Sequence, residues 1–210
     1  MKNKEVKREL HITTDHTGKM KGMMSLSTSC KSNPYCQQHC KVDGSVCQKC
    51  YAQRMMKIYT KMDACLERNA EILTSKVIPV EDLPLFNACY FRFEAFGDLI
   101  NETQLINYFN ICRKNPDTHF ALWTKNPHIV KNVVATRKKP KNLQIILSSL
   151  FINYAIDISN MPYIDKVFTV YDQKTIDEEG IEINCGAKSC LKCHQCYKNN
   201  GVKVINEKLK

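Results

Sequence analysis

The sequence contains no apolar run long enough to cross a bilayer. The longest, LQIILSSLFI at 143–152, falls far short of the ~20 residues that a spanning helix needs. The opening MKNKEVKREL is charged and lacks the apolar stretch of a secretory signal. These absences lead to the expectation of a soluble, cytoplasmic protein with no membrane partner. At 210 residues the chain is also short for two full domains, so one buried core with appended lobes is expected. Tryptophan occurs once, at Trp123. A tryptophan on a strand is ordinarily core, with stacking on a planar ligand as the other use.

Cysteine, by contrast, occurs twelve times. In a reducing compartment clustered thiols serve as metal ligands or catalytic groups more often than as disulfides. A secreted disulfide scaffold also fits poorly, because the cysteines bunch in two regions of a chain with an ordinary apolar fraction. The C-terminal group, CGAKSCLKCHQCY, offers Cys185, Cys190, Cys193 and Cys196. Its run of C-x2-C-x2-C wraps three thiolates around one compact object, as ferredoxin-type loops do for a four-iron cluster. Zinc usually takes two C-x2-C knuckles separated by a longer loop, so the spacing favours iron–sulfur and leaves zinc as the alternative. His194, lying between these cysteines, is expected to be exposed and not a ligand.

The N-terminal group is Cys30, Cys36, Cys40, Cys47 and Cys50, one thiol too many for tetrahedral zinc or a fully ligated four-iron cluster. A catalytic cluster uses three cysteines and leaves one iron open. Cys36 and Cys40 begin the C-x3-C-x2-C signature of radical S-adenosylmethionine enzymes, but position 43 is Asp43 and the third cysteine is missing. Whether Cys30 or Cys40 completes the first group stays open. Cys65, on the apolar stripe of a helix, reads as a small buried hydrophobe.

The net charge of +10 invites a polyanionic partner, but it counts every thiol as neutral. Two four-iron clusters on about seven thiolates would contribute roughly −3 and bring the net to about +7. The basic residues are also scattered, at Lys2, Lys4, Lys7 and Arg8, at 137–141, and at Lys203, Lys208 and Lys210. Solvated surface is the plain reading, with a nucleic-acid partner kept as the alternative.

Periodicity divides the chain into a polar arm (1–24), one α/β domain (25–198) and a basic tail (199–210). Within the domain lie an N-terminal cluster lobe with helix (25–75), a βα core (85–172) and a C-terminal cluster lobe (182–198). Tyr51 to Ser75 has helical spacing. Strands are expected at 88–96, 119–124, 142–149 and 166–172, with helices opened by Asn101 and by Asn126-Pro127 between them. Strands alternating with helices predict a parallel sheet or partial (βα) barrel. Ligands of such folds sit at the carboxyl ends of the strands, which here carry Glu94, Gly97-Asp98, Trp123-Thr124-Lys125, Ser148-Ser149 and Tyr171-Asp172. Arg92 and Glu94 alternate with Phe91 and Phe93, so they should share one strand face and require a partner or ligand there. Arg92, Glu94, Gly97, Asp98, Lys125 and Ser149 are the candidate cofactor-binding or substrate-binding residues.

The strings SLSTSCKSNPYC, VCQKCYA, YFRFEAFGDLINETQ, LWTKNP and INCGAKSCLKCHQCY together resemble the cysteine-rich "gene product 88" type of protein found in phages and mobile elements, over residues 22–198. The resemblance implies a small, divergent relative of radical S-adenosylmethionine enzymes with a shortened βα barrel. It matches Cys36, Cys47 and Cys50 to the first cluster, puts Cys40 in a variable insert, and finds Cys30 where another residue is expected. The expectation is thus an iron–sulfur enzyme with two four-iron clusters, S-adenosylmethionine, an unassigned substrate of nucleoside or nucleic-acid type, and a reductase partner. A zinc-binding nucleic-acid module and a non-catalytic electron-transfer or redox-sensing protein are the alternatives.

Overall fold

In the computed structural model, which describes residues 9–209, the chain runs through β1 (Met24–Leu26), α1 (Pro34–His39), α2 (Tyr51–Ile58), α3 (Thr60–Ser75), β2 (Tyr90–Phe93), α4 (Glu102–Lys114), β3 (His119–Thr124) and α5 (Pro127–Thr136). It continues through β4 (Leu143–Ser148), β5 (Lys166–Tyr171), α6 (Gln173–Glu179), α7 (Cys190–Cys193) and β6 (Val204–Lys208). Among the described residues the six strands form one sheet in the order β1-β2-β3-β4-β5-β6, every pair parallel. The expected parallel α/β architecture is therefore present, with two strands beyond the four read from the sequence. No helix among the described residues is long and apolar enough to cross a membrane.

Parallel neighbours need crossover connections, and crossovers have one hand. When strand order follows chain order without reversal, the helices collect on one side of the sheet. Leu73 of α3, Leu105, Tyr108 and Phe109 of α4, and Val130 and Val133 of α5 pack in one cluster with Leu26, Phe91, Phe93, Phe120, Leu122, Leu143 and Ile145. Its centre is aromatic: Phe93 stacks on Tyr108 at 4.1 Å and on Phe120 at 5.1 Å. The connection from β4 to β5 has no helix; Ile156, Ile158, Met161 and Tyr163 cover that part of the core instead.

The pleat turns the intervening residues to the other face. There the register aligns Ser25 with Arg92, Arg92 with Ala121, and Phe168 with Ile205. Met23, Tyr197, Met20, Leu191 and Cys196 pack against part of this face. Lys19, in the segment that leads into β1, pairs with Glu207 of the edge strand β6 at 2.7 Å, so an ion pair ties that segment to β6 across the open side.

Several sequence expectations are corrected. The predicted arm falls partly outside the described residues (1–8), and its remainder is integral: Leu10 and Ile12 pack on the main core and Met23 is buried. Asn69 of α3 fixes this segment by donating to His11 O and Ser27 O and accepting from His11 N. The predicted basic tail contains β6, an edge strand whose charges blunt its exposed side; Lys210 lies outside the described residues. The single helix expected over 51–75 is two, interrupted at Tyr59 (φ −109°, ψ 82°), where Ile58, Tyr59 and Thr60 put three weak helix formers in a row. Cys65 is half-buried, not enclosed.

The helix starts are clearer. Asn101 accepts from the Gln104 amide at 3.0 Å, and the Gln104 side chain accepts from Ile100 N at 2.7 Å, a reciprocal cap. Pro127 opens α5 as expected, but the Asn126 side chain makes no cap; the Asn126 backbone N–H donates instead to Thr124 Oγ1 at 2.9 Å.

Phe120 is fully buried between the aromatic rings of β2 and the helices. Phe120→Ala is expected to cost about 3–5 kcal/mol of folding stability, read from chemical denaturation.

Candidate functional site

At the C-terminal ends of the strands the uncovered face opens into a cavity of about 480 Å³, within the size range of small-molecule sites. Eight of the twelve cysteines line it: Cys30, Cys36, Cys47 and Cys50 from the N-terminal group, and Cys185, Cys190, Cys193 and Cys196 from the C-terminal group. Two groups far apart in sequence thus face the same space. Glu94, Gly97, Asp98, Trp123, Thr124, Lys125, Ser148 and Ser149 also border it. Tyr171 and Asp172 do not; Asp172 caps α6 by accepting from Thr175 N at 2.8 Å.

The N-terminal thiols are positioned by caps. Asn33, fully buried, accepts from the amides of Tyr35 and Cys36 at the start of α1 and donates to the carbonyls of Asp98 and Leu99. Cys36 is thereby fixed against the loop that follows β2. Val46 N donates to Leu150 O at 2.9 Å, pinning the turn before Cys47 to the exit of β4. Ser149 serves the same exit loop, with its hydroxyl on Phe151 O at 2.8 Å. Cys50 lies immediately before α2.

Cys30 and Cys40 separate cleanly. Cys40 is outside the cavity lining, and its thiol donates to Gln37 O at 3.2 Å within its own helix turn. Cys30 is buried and lines the cavity beside Cys50. Its interaction with Cys50 first, and then burial, pushes the Cys30 thiol up, while the same interaction draws Cys50 down. Burial raises Cys36, with Asp98 adding to it, and raises Cys47 against the opposing charge of Lys125. The sequence left open whether Cys30 or Cys40 completes the first group, and the structure puts Cys30, four residues beyond the short strand β1, on the cavity.

Glu94 departs from the expected pairing with Arg92. Its backbone has φ +54°, a left-handed turn that ends the alternation of β2 and swings the carboxylate toward α4. There it accepts from Tyr108 Oη at 2.5 Å and Gln104 Nε2 at 2.6 Å, and from the Thr28 amide and hydroxyl at 3.1 Å. Burial raises its pKa to about 8, with the Tyr108 and Thr28 hydrogen bonds opposing. Asp98 is likewise engaged within the protein, by Thr124 Oγ1 at 2.5 Å and Lys125 N at 2.8 Å. Gly97, at φ +79°, lies so close to the chain that an added Cβ would sit 2.4 Å from Thr28 O.

Arg92 stays on the sheet face toward the cavity. Its guanidinium lies 3.9 Å above the Trp123 ring, so Trp123 is neither plain core nor bare platform. Cys190 and Cys196 feel this cation: burial raises Cys190 and lifts Cys196 to about 12, with Arg92 opposing in both. Lys19 donates to Cys185 O at 3.2 Å. His194 is half-buried, with Nδ1 on Tyr90 Oη at 3.0 Å and its ring tilted against Tyr90. Both of its ring nitrogens are engaged within the protein.

Among the described residues no three cysteine, histidine, aspartate or glutamate side chains converge closely enough to hold a metal ion. What the structure supplies is donor type and a shared cavity: four thiols from each group line it, with Lys125 beside Cys47 and Arg92 beside Cys190 and Cys196. Comparison with known proteins bears on the resemblance noted above. The family model described as Gene product 88 matches residues 2–209, almost the whole chain. The chain belongs to the gene product 88 family. The match assigns a phage-type family and names no reaction. No curated protein and no solved structure matches the chain.

Two outcomes are expected from this geometry. Because the pKa of Glu94 is raised in the folded state, its stabilising share is complete below the unfolded value of ~4.3 and is lost as pH rises through about 8. Stability measured by denaturation from pH 5 to pH 9 should fall, and Glu94→Gln should flatten that slope. Gly97→Ala should destabilise by more than the roughly 1–2 kcal/mol of left-handed backbone alone, because the new methyl meets the Thr28 carbonyl.

Proposed function

We propose that this protein is an iron–sulfur enzyme of radical S-adenosylmethionine type, in which two cysteine-held clusters face one substrate cavity. The observation that carries the proposal is that both cysteine groups line the same cavity as the polar strand ends. Structural zinc would need neither a shared cavity nor a second group facing the first.

When bound, a reduced four-iron cluster with an open iron supplies one electron to the sulfonium of S-adenosylmethionine. The chain's own residues provide the setting. Cys36, Cys47 and Cys50 would hold the first cluster, and Cys185, Cys190, Cys193 and Cys196 the second. Lys125 beside Cys47 and Cys50 favours their thiolates. Asp98 fixes the Lys125 backbone, and Asn33 ties α1 to the loop after β2, so the ligand-bearing segments are braced against each other. Phe96, Phe168 and Val170 give the cavity apolar wall that keeps water from reactive species. The formal charge of +10 supports a nucleoside or nucleic-acid substrate, and a reductase partner would supply the electron.

One observation favours a second reading. Cys30 faces the cavity beside Cys50, so four thiols are present, and four thiolates would close the first cluster and leave a protein for electron transfer or redox sensing.

Anaerobic purification with iron, sulfide and zinc analysis is the first test. About eight irons per chain are expected; a colourless protein with stoichiometric zinc removes both readings. Cys36→Ser, Cys47→Ser or Cys50→Ser should lose about half of the iron, while Cys40→Ser retains it all. If Cys30→Ser also loses half, the four-thiolate reading stands. After dithionite reduction and addition of S-adenosylmethionine, formation of 5′-deoxyadenosine supports the enzyme; no cleavage and an unchanged paramagnetic resonance spectrum reject it.

A further inference from the structure

Among the described residues no carboxylate forms an ion pair with Arg92. Its contacts among the described residues are Met20 Sδ, 3.4 Å from one terminal nitrogen, and the Trp123 ring at 3.9 Å. Its Nε is buried with no hydrogen-bond partner. The acidic residues that border the cavity are committed elsewhere. Glu94 is turned away onto Tyr108 and Gln104, Asp98 onto Thr124 and Lys125, and Glu207 onto Lys19. A guanidinium presents five donors in a planar fork, and among the described residues no oxygen accepts from any of them. The residue as a whole is half-buried, and burying its Nε without a hydrogen bond carries a cost. The alternation of β2 aims this side chain at the cavity, where it lies over the Trp123 ring.

We infer that Arg92 is the recognition group for an oxyanion, a carboxylate or phosphate, carried by the ligand of the cavity. The inference deepens the proposed function by naming the chemical class of the substrate, and it rests on that reading only for the reaction. Two parallel N–H···O bonds from the fork would hold the anion bidentately. The ligand's remaining body would then extend toward Lys125 and the N-terminal thiols. Met20 supplies only a thioether, a weak acceptor that an oxyanion displaces readily.

The test uses the chain's single tryptophan, which lies directly under the proposed anion site. The full-length, anaerobically purified protein is titrated with inorganic phosphate and, separately, with acetate. Trp123 emission is followed, and equilibrium dialysis against radiolabelled phosphate and acetate gives a second measure that no chromophore can disturb. Saturable binding is expected, weakened roughly tenfold or more in Arg92→Met and partly retained in Arg92→Lys, which keeps the charge but loses the fork. Tighter phosphate than acetate assigns a phosphorylated ligand, and the reverse a carboxylate. Absence of saturable binding, or equal binding in Arg92→Met and wild type, overturns the inference. So does loss of iron from Arg92→Met without any anion binding in the wild type, which would make Arg92 the counter-charge of the C-terminal thiolates. Should Arg92→Met fail to fold, Arg92→Lys decides by the same comparison. A protein that proves to hold zinc or no metal, yet binds phosphate through Arg92, keeps this inference and loses the iron–sulfur reading.

Discussion

A parallel strand cannot be joined to its neighbour by a tight turn, and each crossover must pass over the same side of the sheet. Six strands laid down in chain order therefore send α3, α4 and α5 to one face and leave the other to short segments, among them α7. The core takes the covered face, where Phe91, Phe93 and Phe120 meet Tyr108 and Phe109. The bare face is where everything else follows. It carries Arg92 and Trp123, it is crossed by the Lys19–Glu207 pair, and it is roofed by segments rich in cysteine. An order reversal in the sheet would have put helices on both faces and closed this space.

The N-terminal thiols depend on one buried polar assembly. The left-handed Glu94 ends β2 and anchors its carboxylate on Thr28, Gln104 and Tyr108. Gly97 lets the returning chain pass against Thr28, and Asn33 then clasps the carbonyls of Asp98 and Leu99 while capping α1. Each buried polar atom in this chain of contacts has a partner, which is the condition under which such a network rigidifies its surroundings. The loop holding Cys30 and Cys36 is thereby mounted on the sheet. The charges are distributed in a complementary way: Lys125 stands by the N-terminal thiols and Arg92 by the C-terminal ones.

Much of the frame was legible from residue patterns. Strands β2 to β5 and helices α4 and α5 announced themselves through apolar periodicity, through Asn101 with Gln104, and through Pro127. Strands β1 and β6 did not, because MSL is too short to show alternation and VINEK is charged, as an edge strand can be. Asp172 and Ser149 illustrate the limit for polar residues at strand ends. Both lie where a ligand group would, but Asp172 caps α6 and lies outside the cavity, whereas Ser149 closes its own turn at the cavity rim.

The sequence by itself determined the parallel α/β class, the two cysteine groups and the polar set at the strand ends, since these follow from spacing along the chain. Only the tertiary structure decided which thiols share a space. Cys30 and Cys40 are equivalent in a string of letters, yet one is delivered to the cavity by the end of a strand and the other is turned onto its own helix. Arg92 and Glu94 alternate as if to pair, and a single left-handed residue sends them apart. The reason is the same in each case: local spacing sets the direction of a side chain only while the backbone stays regular, and these residues sit where it stops.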